Sequence, residues 1–80
     1  MRTKDAIRCR ILELCEIHAL SVNGLSNRCG ITQSTLNNII SGRNDSATVT
    51  TIKKICDGLH MELYEFFDSD LFHNLEQEVF

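Results

Sequence analysis

Apolar residues along this 80-residue chain recur every three or four positions, the spacing of helices rather than strands. The chain has no proline and no run in which β-branched and polar residues alternate. The first apolar stripe predicts a helix over residues 4–18, with Thr3 as its N-cap. Its members are Ile7, Ile11, Leu14, Cys15 and His18. We therefore expect an all-α fold.

Two short helices separated by a very tight turn are predicted next. Ser21 is a favourable N-cap for the second helix, which should end at Gly30, where a left-handed residue costs little. Thr32 should cap a third helix that runs to about Ser41 and is terminated by Gly42. The turn between these helices is therefore no longer than Gly30 and Ile31.

The second half of the chain predicts two more helices and an extension. After a polar loop at residues 43–47, Thr48 should cap a fourth helix, and a fifth should begin near Glu62. The residues expected to face inward are Val49, Ile52, Ile55, Cys56, Leu59, Leu63, Phe66 and Phe67. Residues 1–67 form the predicted domain. Residues 68–80 form a short extension in which Leu71, Leu75 and Val79 have the spacing of one helical stripe.

The third helix has an outward face without charge. Leu36 and Ile39 share one side and can pack on the second helix. The opposite side carries only uncharged groups that donate and accept hydrogen bonds, namely Gln33, Ser34, Asn37, Asn38 and Ser41. A merely solvated helix would normally carry Glu and Lys there. Asn and Gln can pair bidentately with adenine in the major groove, so this face suits the recognition of base edges.

The charge is distributed unevenly along the chain. Residues 1–43 contain six basic and three acidic residues, a net charge of +3, whereas residues 44–80 contain two basic and eight acidic ones, a net charge of −6. The total of −3 argues against a protein that wraps nucleic acid non-specifically. A basic N-terminal half and an acidic C-terminal half indicate that only one face of the protein approaches DNA.

The expected compartment is the cytoplasm. Charged residues interrupt the first twenty positions, which excludes a signal-peptide core or a membrane span there. The four cysteines form no C-x-x-C pair, so we expect free thiols, with Cys29 and Cys56 as core residues. Cys15 and His18 lie one turn apart but have no third partner at ligand or triad spacing. We therefore expect no metal, no cofactor, no small-molecule effector and no enzymatic activity.

These residues resemble the lambda-repressor-like, or XRE and Cro type, helix-turn-helix regulators. The resemblance runs from about residue 7 to 67, and its two dense blocks cover residues 20–43 and 48–59. It implies five helices, with residues 33–41 as the recognition helix that enters the major groove N-terminus first. Two blocks at family spacing are more specific than a lone motif.

The resemblance also implies individual roles. Gln33, Ser34 and Asn38 would contact bases, and the uncharged face of the helix adds Asn37 to this set. The implied phosphate contacts are Ser21, Asn23, Thr32, Thr35 and Arg43. Two positions depart from the family pattern. Val22 stands where many members have Gln, and Ile40 stands where Glu or Arg is common, which predicts an exposed apolar side chain.

The sequence favours a repressor that binds double-stranded DNA, and leaves two other functions open. An antitoxin would use the same fold and capture a toxin on an apolar surface, and a protein-interaction module would have lost DNA binding. The extension carries Leu71, Phe72, Leu75, Val79 and Phe80. Such apolar residues should pack on their own domain or on a second copy. A homodimer on a palindromic operator is the favoured arrangement.

Overall fold

The computed structural model describes residues 1–43 and 47–80 and is built from helices. The five α-helices are α1 (Thr3–Ile17), α2 (Val22–Cys29), α3 (Gln33–Ile40), α4 (Val49–Gly58) and α5 (Leu63–Phe66). A short 3-10 helix follows at Asp70–Phe72, and no strand occurs in the described ranges. The prediction of an all-α, five-helix fold is confirmed. The predicted loop at residues 43–47 lies for the most part outside the described residues.

Hydroxyl caps determine where three of the helices begin. The Oγ of Ser21 accepts a hydrogen bond from the backbone N–H of Gly24 at 3.0 Å. Thr32 and Thr48 accept in the same way from the N–H groups three residues later, each at 3.1 Å. These caps satisfy N–H groups that have no partner inside the helix. The expected caps of α2, α3 and α4 are confirmed. The expectation that Thr3 caps α1 is wrong, because Thr3 is the first residue of that helix and the N-cap, Arg2, makes no capping hydrogen bond with its side chain.

The core lies between α2 and its neighbours α3 and α4, one face of α1 packs into it, and α5 closes one end. Its fully buried large side chains are Ile11, Leu25, Leu36, Ile55 and Phe66. Cys15, Cys29 and Cys56 are also buried, and all four cysteines are free thiols. Burial raises the pKa of each of these three thiols. The expectation that Cys29 and Cys56 are core residues is confirmed.

Two residues predicted to face inward do not. Val49 is the first residue of α4 and is 66% exposed, so the buried stripe of that helix starts at Ile52. Phe67 follows the last residue of α5 and is 40% exposed. Its ring packs edge-on against the rings of Phe66 and Phe72, with centroids 5.0 Å apart in both pairs. Phe67 thus covers other aromatic rings and keeps part of its own surface in solvent.

The C-terminal extension is not an α-helix, so the helical stripe predicted for it is wrong. His73 is extended and Asn74 has φ of +59°, and these conformations interrupt any helix between Leu71 and Val79. The extension instead runs back to α1. The backbone N–H of Glu76 donates to the carbonyl of Met1 at 3.1 Å.

One long-range contact joins α1 to α5. Arg10 donates from Nε to the carbonyl of Phe66 at 2.7 Å and from Nη2 to the carbonyl of Glu65 at 2.9 Å, and it pairs with Glu13. Its side chain is only 11% exposed. This guanidinium satisfies carbonyls at the end of a helix too short to be stable alone.

We expect Arg10→Met to lower the free energy of unfolding by about 1–3 kcal/mol, since two carbonyls lose their donor. Urea unfolding followed by circular dichroism measures the change. Arg8→Met on the same helix is the control, because Arg8 approaches Asp5 only at 3.9 Å, and it should cost under about 1 kcal/mol. Equal losses in the two variants would contradict a capping role for Arg10.

Candidate nucleic-acid interface

The turn between α2 and α3 sets the position of the third helix. Gly30 adopts the left-handed conformation with φ of +67°, which lets the chain reverse directly after α2. The N–H of Ile31 then donates to the carbonyl of Ser26 at 3.0 Å, and the Ile31 side chain is buried. The turn is therefore fixed by a hydrogen bond and by a core side chain, so α3 is held rigidly against α2.

Two buried residues attach α3 and leave its opposite side free. Leu36 and Ile39 are buried in the core. Gln33, Ser34 and Asn37 are exposed. The exposed side is therefore the uncharged, hydrogen-bonding face that the sequence pattern indicates.

A shallow cavity of about 280 Å³ lies on this face. It is lined by Ser34, Asn37, Asn38, Ser41 and Arg43. Three of the four side chains expected to contact bases thus share one surface, and Gln33 stands outside the cavity at the first position of α3. The sequence pattern assigns Ser41 to this face but predicts no DNA contact for it. In the structure its Oγ donates to the carbonyl of Asn38 at 3.3 Å.

The residues expected to contact phosphate are distributed over two helix N-termini. The Oγ of Ser21 caps α2, and Asn23 is exposed at the second position of the same helix. The hydroxyl of Thr32 accepts from the Thr35 N–H and donates to the Thr35 Oγ1 at 2.8 Å. Thr35 accepts that bond and keeps its own hydroxyl hydrogen for an outside acceptor. Arg43 follows the end of α3 and lines the cavity.

The two departures from the family pattern both contribute to packing. Val22 is half-buried against the core. Ile40 is also half-buried and packs on the core, so the expectation that it is exposed is wrong. Ile40 is the last residue of α3 and follows the buried Ile39, so its side chain still contacts the edge of the core. The hydrophobic side chain therefore stabilises the domain and does not form an isolated patch.

The cations near the helix-turn-helix differ in whether they already contact a partner within the domain. Arg28 donates from Nε to the carbonyl of Gly58 at 3.0 Å. Lys53 pairs with Asp57, and the hydrogen bond that the lysine donates to that carboxylate raises the pKa of Lys53. Lys54 is exposed. The cation that stands among the polar side chains of α3 is Arg43.

The alternative chemistries gain no support from the described residues. Cys15 is buried in the core and its pKa is raised by burial, which favours the neutral thiol over the nucleophilic thiolate. In the described ranges, no group of three His, Cys, Asp or Glu side chains is arranged to hold a metal ion. Among the same residues, no helix has the length and apolar character needed to cross a membrane.

Comparisons with known proteins agree with this geometry. Residues 10–69 match the family described as the Cro/C1-type HTH DNA-binding domain. The structure is similar to the crystal structure of the prophage Lp1 protein 11, with a TM-score of 0.81 and 30% sequence identity. The match covers 94% of this chain and 100% of that one. No curated protein matches the chain. The chain therefore belongs to the Cro/C1-type helix-turn-helix DNA-binding family.

Proposed function

We propose that this protein is a cytoplasmic transcriptional repressor that binds specific sequences of double-stranded DNA by inserting α3 into the major groove. The observation that supports the proposal is the exposed, uncharged face of a helix whose other side is anchored in the core by Leu36 and Ile39. The rigid turn at Gly30 presents that face without further ordering. Occupation of a promoter would then block transcription.

Phosphate contacts and base contacts have separate tasks in this proposal. The N-termini of α2 and α3, with Ser21, Asn23, Thr32 and Thr35, approach the DNA backbone and set the register. Gln33, Ser34, Asn37 and Asn38 contact base edges, and each good bidentate pair discriminates against the wrong base by about 1–3 kcal/mol. Family membership favours this binding function over an enzymatic one.

A second copy completes the proposed regulator. A single recognition helix of eight residues makes few base contacts, whereas a two-fold dimer reads two half-sites about one helical turn apart. The operator would then be palindromic. The exposed end of the extension, Val79 and Phe80, offers apolar surface for the contact, because Leu71, Phe72 and Leu75 are already half-buried in the monomer.

Selection of bound sequences from a random DNA pool tests the proposal as a whole. A defined consensus supports a sequence-specific regulator, and a palindromic one supports the dimer. If no sequence is retained above background, the proposed function is contradicted. The protein-interaction module, one of the two alternatives, would then be favoured.

We expect Gln33→Ala to leave folding unchanged, since this side chain is exposed at the first position of α3. Binding to the selected sequence should weaken by about 1–3 kcal/mol, and base preference should relax at one position. Titration of labelled DNA measures both effects. Asn27→Ala, which removes an exposed amide from α2, is the control and should retain affinity and consensus. An unaltered consensus for Gln33→Ala would show that α3 presents a different face to DNA.

A further inference from the structure

Backbone hydrogen bonds at the end of α3 fix the position of Arg43 in the chain. Gly42 has φ of +78° and donates its N–H to the carbonyl of Ile39 at 3.3 Å. The N–H of Arg43 then donates to the carbonyl of Asn38 at 3.1 Å. This left-handed reversal is a frequent way to end a helix. It ties the backbone of Arg43 to the last turn of the recognition helix.

Arg43 lines the same cavity as three of the residues proposed to contact bases. The cavity of about 280 Å³ contains Ser34 near the start of α3 and Ser41 at its end, with Asn37 and Asn38 between them. Arg43 is exposed and makes no ion pair with any described residue. The other four lining groups are uncharged, so the guanidinium is available to a ligand that enters the cavity.

The chemistry of that ligand follows from the donor set. Arginine presents a planar fork of N–H donors that matches the O6 and N7 acceptors of guanine. Asparagine presents one donor and one acceptor, the pattern that matches adenine. The cavity that Arg43 lines also contains Asn37 and Asn38, which are proposed to contact base edges, so a ligand group that reaches these two residues is also near Arg43.

We propose that Arg43 reads a guanine base in the major groove, next to base pairs read by Asn37 and Asn38. This assignment rests on the proposed DNA-binding function and replaces the phosphate role that the family resemblance implies. It makes Arg43 a determinant of specificity. Each half-site then contains a G·C pair at the position that Arg43 reaches.

The test compares sequence selection by the wild type and by Arg43→Ala. We expect the wild-type consensus to contain one guanine whose preference, about 5- to 150-fold over other bases, disappears in the variant while the remaining positions persist. Replacing that guanine by 7-deazaguanine, which lacks the N7 acceptor, should weaken wild-type binding and leave Arg43→Ala unaffected. Lys54→Ala, which removes an exposed cation from α4, is the control and should keep the whole consensus.

Two results would overturn the assignment and spare the proposed function. One is a wild-type consensus without such a guanine. The other is an Arg43→Ala variant that keeps the full consensus, binds all sequences more weakly and has a salt dependence shallower by about one unit of slope, which is the behaviour of a phosphate contact. A wild type that selects no sequence at all would contradict the proposed function itself.

Discussion

Gly58→Ala is expected to destabilise the domain by about 3 kcal/mol, although alanine is the better helix former by up to about 1 kcal/mol. Gly58 is the last residue of α4, where it meets α2. A Cβ at this position would stand 2.4 Å from the Sγ of Cys29 and 3.0 Å from its Cα. Contacts that short cannot be relieved by a rotamer change alone, because one of the two atoms belongs to the backbone. The two helices would have to separate.

The same helix pair holds the helix-turn-helix in place. Arg28 donates to the carbonyl of Gly58 at 3.0 Å, and the Cys29 thiol approaches the carbonyl of Ile55 at 3.7 Å. α2 thus rests on α4 through close backbone contacts, and α3 rests on α2. A loss of about 3 kcal/mol is a large part of the roughly 4–12 kcal/mol expected for 80 residues.

Urea unfolding of four proteins measures this contact. They are the wild type, Gly58→Ala, Cys29→Ala and the double variant. We expect the double variant to be more stable than the sum of the single losses predicts, by at least about 1 kcal/mol, because Cys29→Ala removes the atom that clashes most. Gly24→Ala in α2 is the control, since its nearest neighbour is the Ser21 Oγ at 3.3 Å, and it should change stability by under about 1 kcal/mol. Strict additivity would contradict the steric explanation.

Local chemistry explains why so much of the fold could be predicted from the sequence. Ser21, Thr32 and Thr48 cap the helices that the pattern assigns to them, and Gly30 and Gly42 are left-handed as expected. A helix cap is a hydrogen bond between residues three positions apart, so the local sequence is enough to predict it. The exposed face of α3 follows from the 3.6-residue period in the same way.

The remaining features depend on contacts between distant residues. The approach of Cys29 to Gly58 joins positions 29 residues apart, and no local pattern marks it. Ile40 is half-buried because the core reaches past Ile39. The cavity on α3 includes Arg43 because the chain reverses at Gly42, and the direction of that reversal fixes which residues become neighbours.

The extension shows how a spacing argument can fail. Leu71, Leu75 and Val79 have helical spacing, yet the segment forms only one 3-10 turn. Phe72 packs instead on Phe66, with ring centroids 6.1 Å apart, and on Phe67. A segment this short gains little from forming a helix, since nucleation is costly, and it gains more from covering aromatic rings. Of the apolar residues of the extension, packing on its own domain therefore leaves only Val79 and Phe80 exposed.

This placement determines how the dimer proposal should be tested. Removal of residues 69–80 would also remove Phe72 from the aromatic cluster, and the loss of stability would obscure any effect on association. Val79 and Phe80 are 79% and 104% exposed, and deletion of these two residues alone leaves the aromatic cluster intact. Leu12→Gln on α1 is the control, because it removes an exposed apolar side chain from another face.

We expect deletion of residues 79–80 to convert the dimer to a folded monomer and to weaken binding to a palindromic operator by about 10²- to 10⁴-fold. The second half-site of a dimer binds at a high effective concentration, and that advantage is lost when the copies separate. Binding to an isolated half-site should be unchanged. Sedimentation velocity measures the oligomeric state, and titration of palindromic and half-site DNA measures the two affinities.

Each alternative result of this experiment has a definite meaning. A deletion variant that remains dimeric would place the interface elsewhere, for example around Tyr64, which is 73% exposed on α5. An intact protein that is monomeric both free at micromolar concentration and on its DNA would contradict the dimer. The eight-residue α3 and Arg43 would then form the whole base-reading surface. The consensus would be a single half-site whose specificity depends on Gln33, Ser34, Asn37, Asn38 and Arg43.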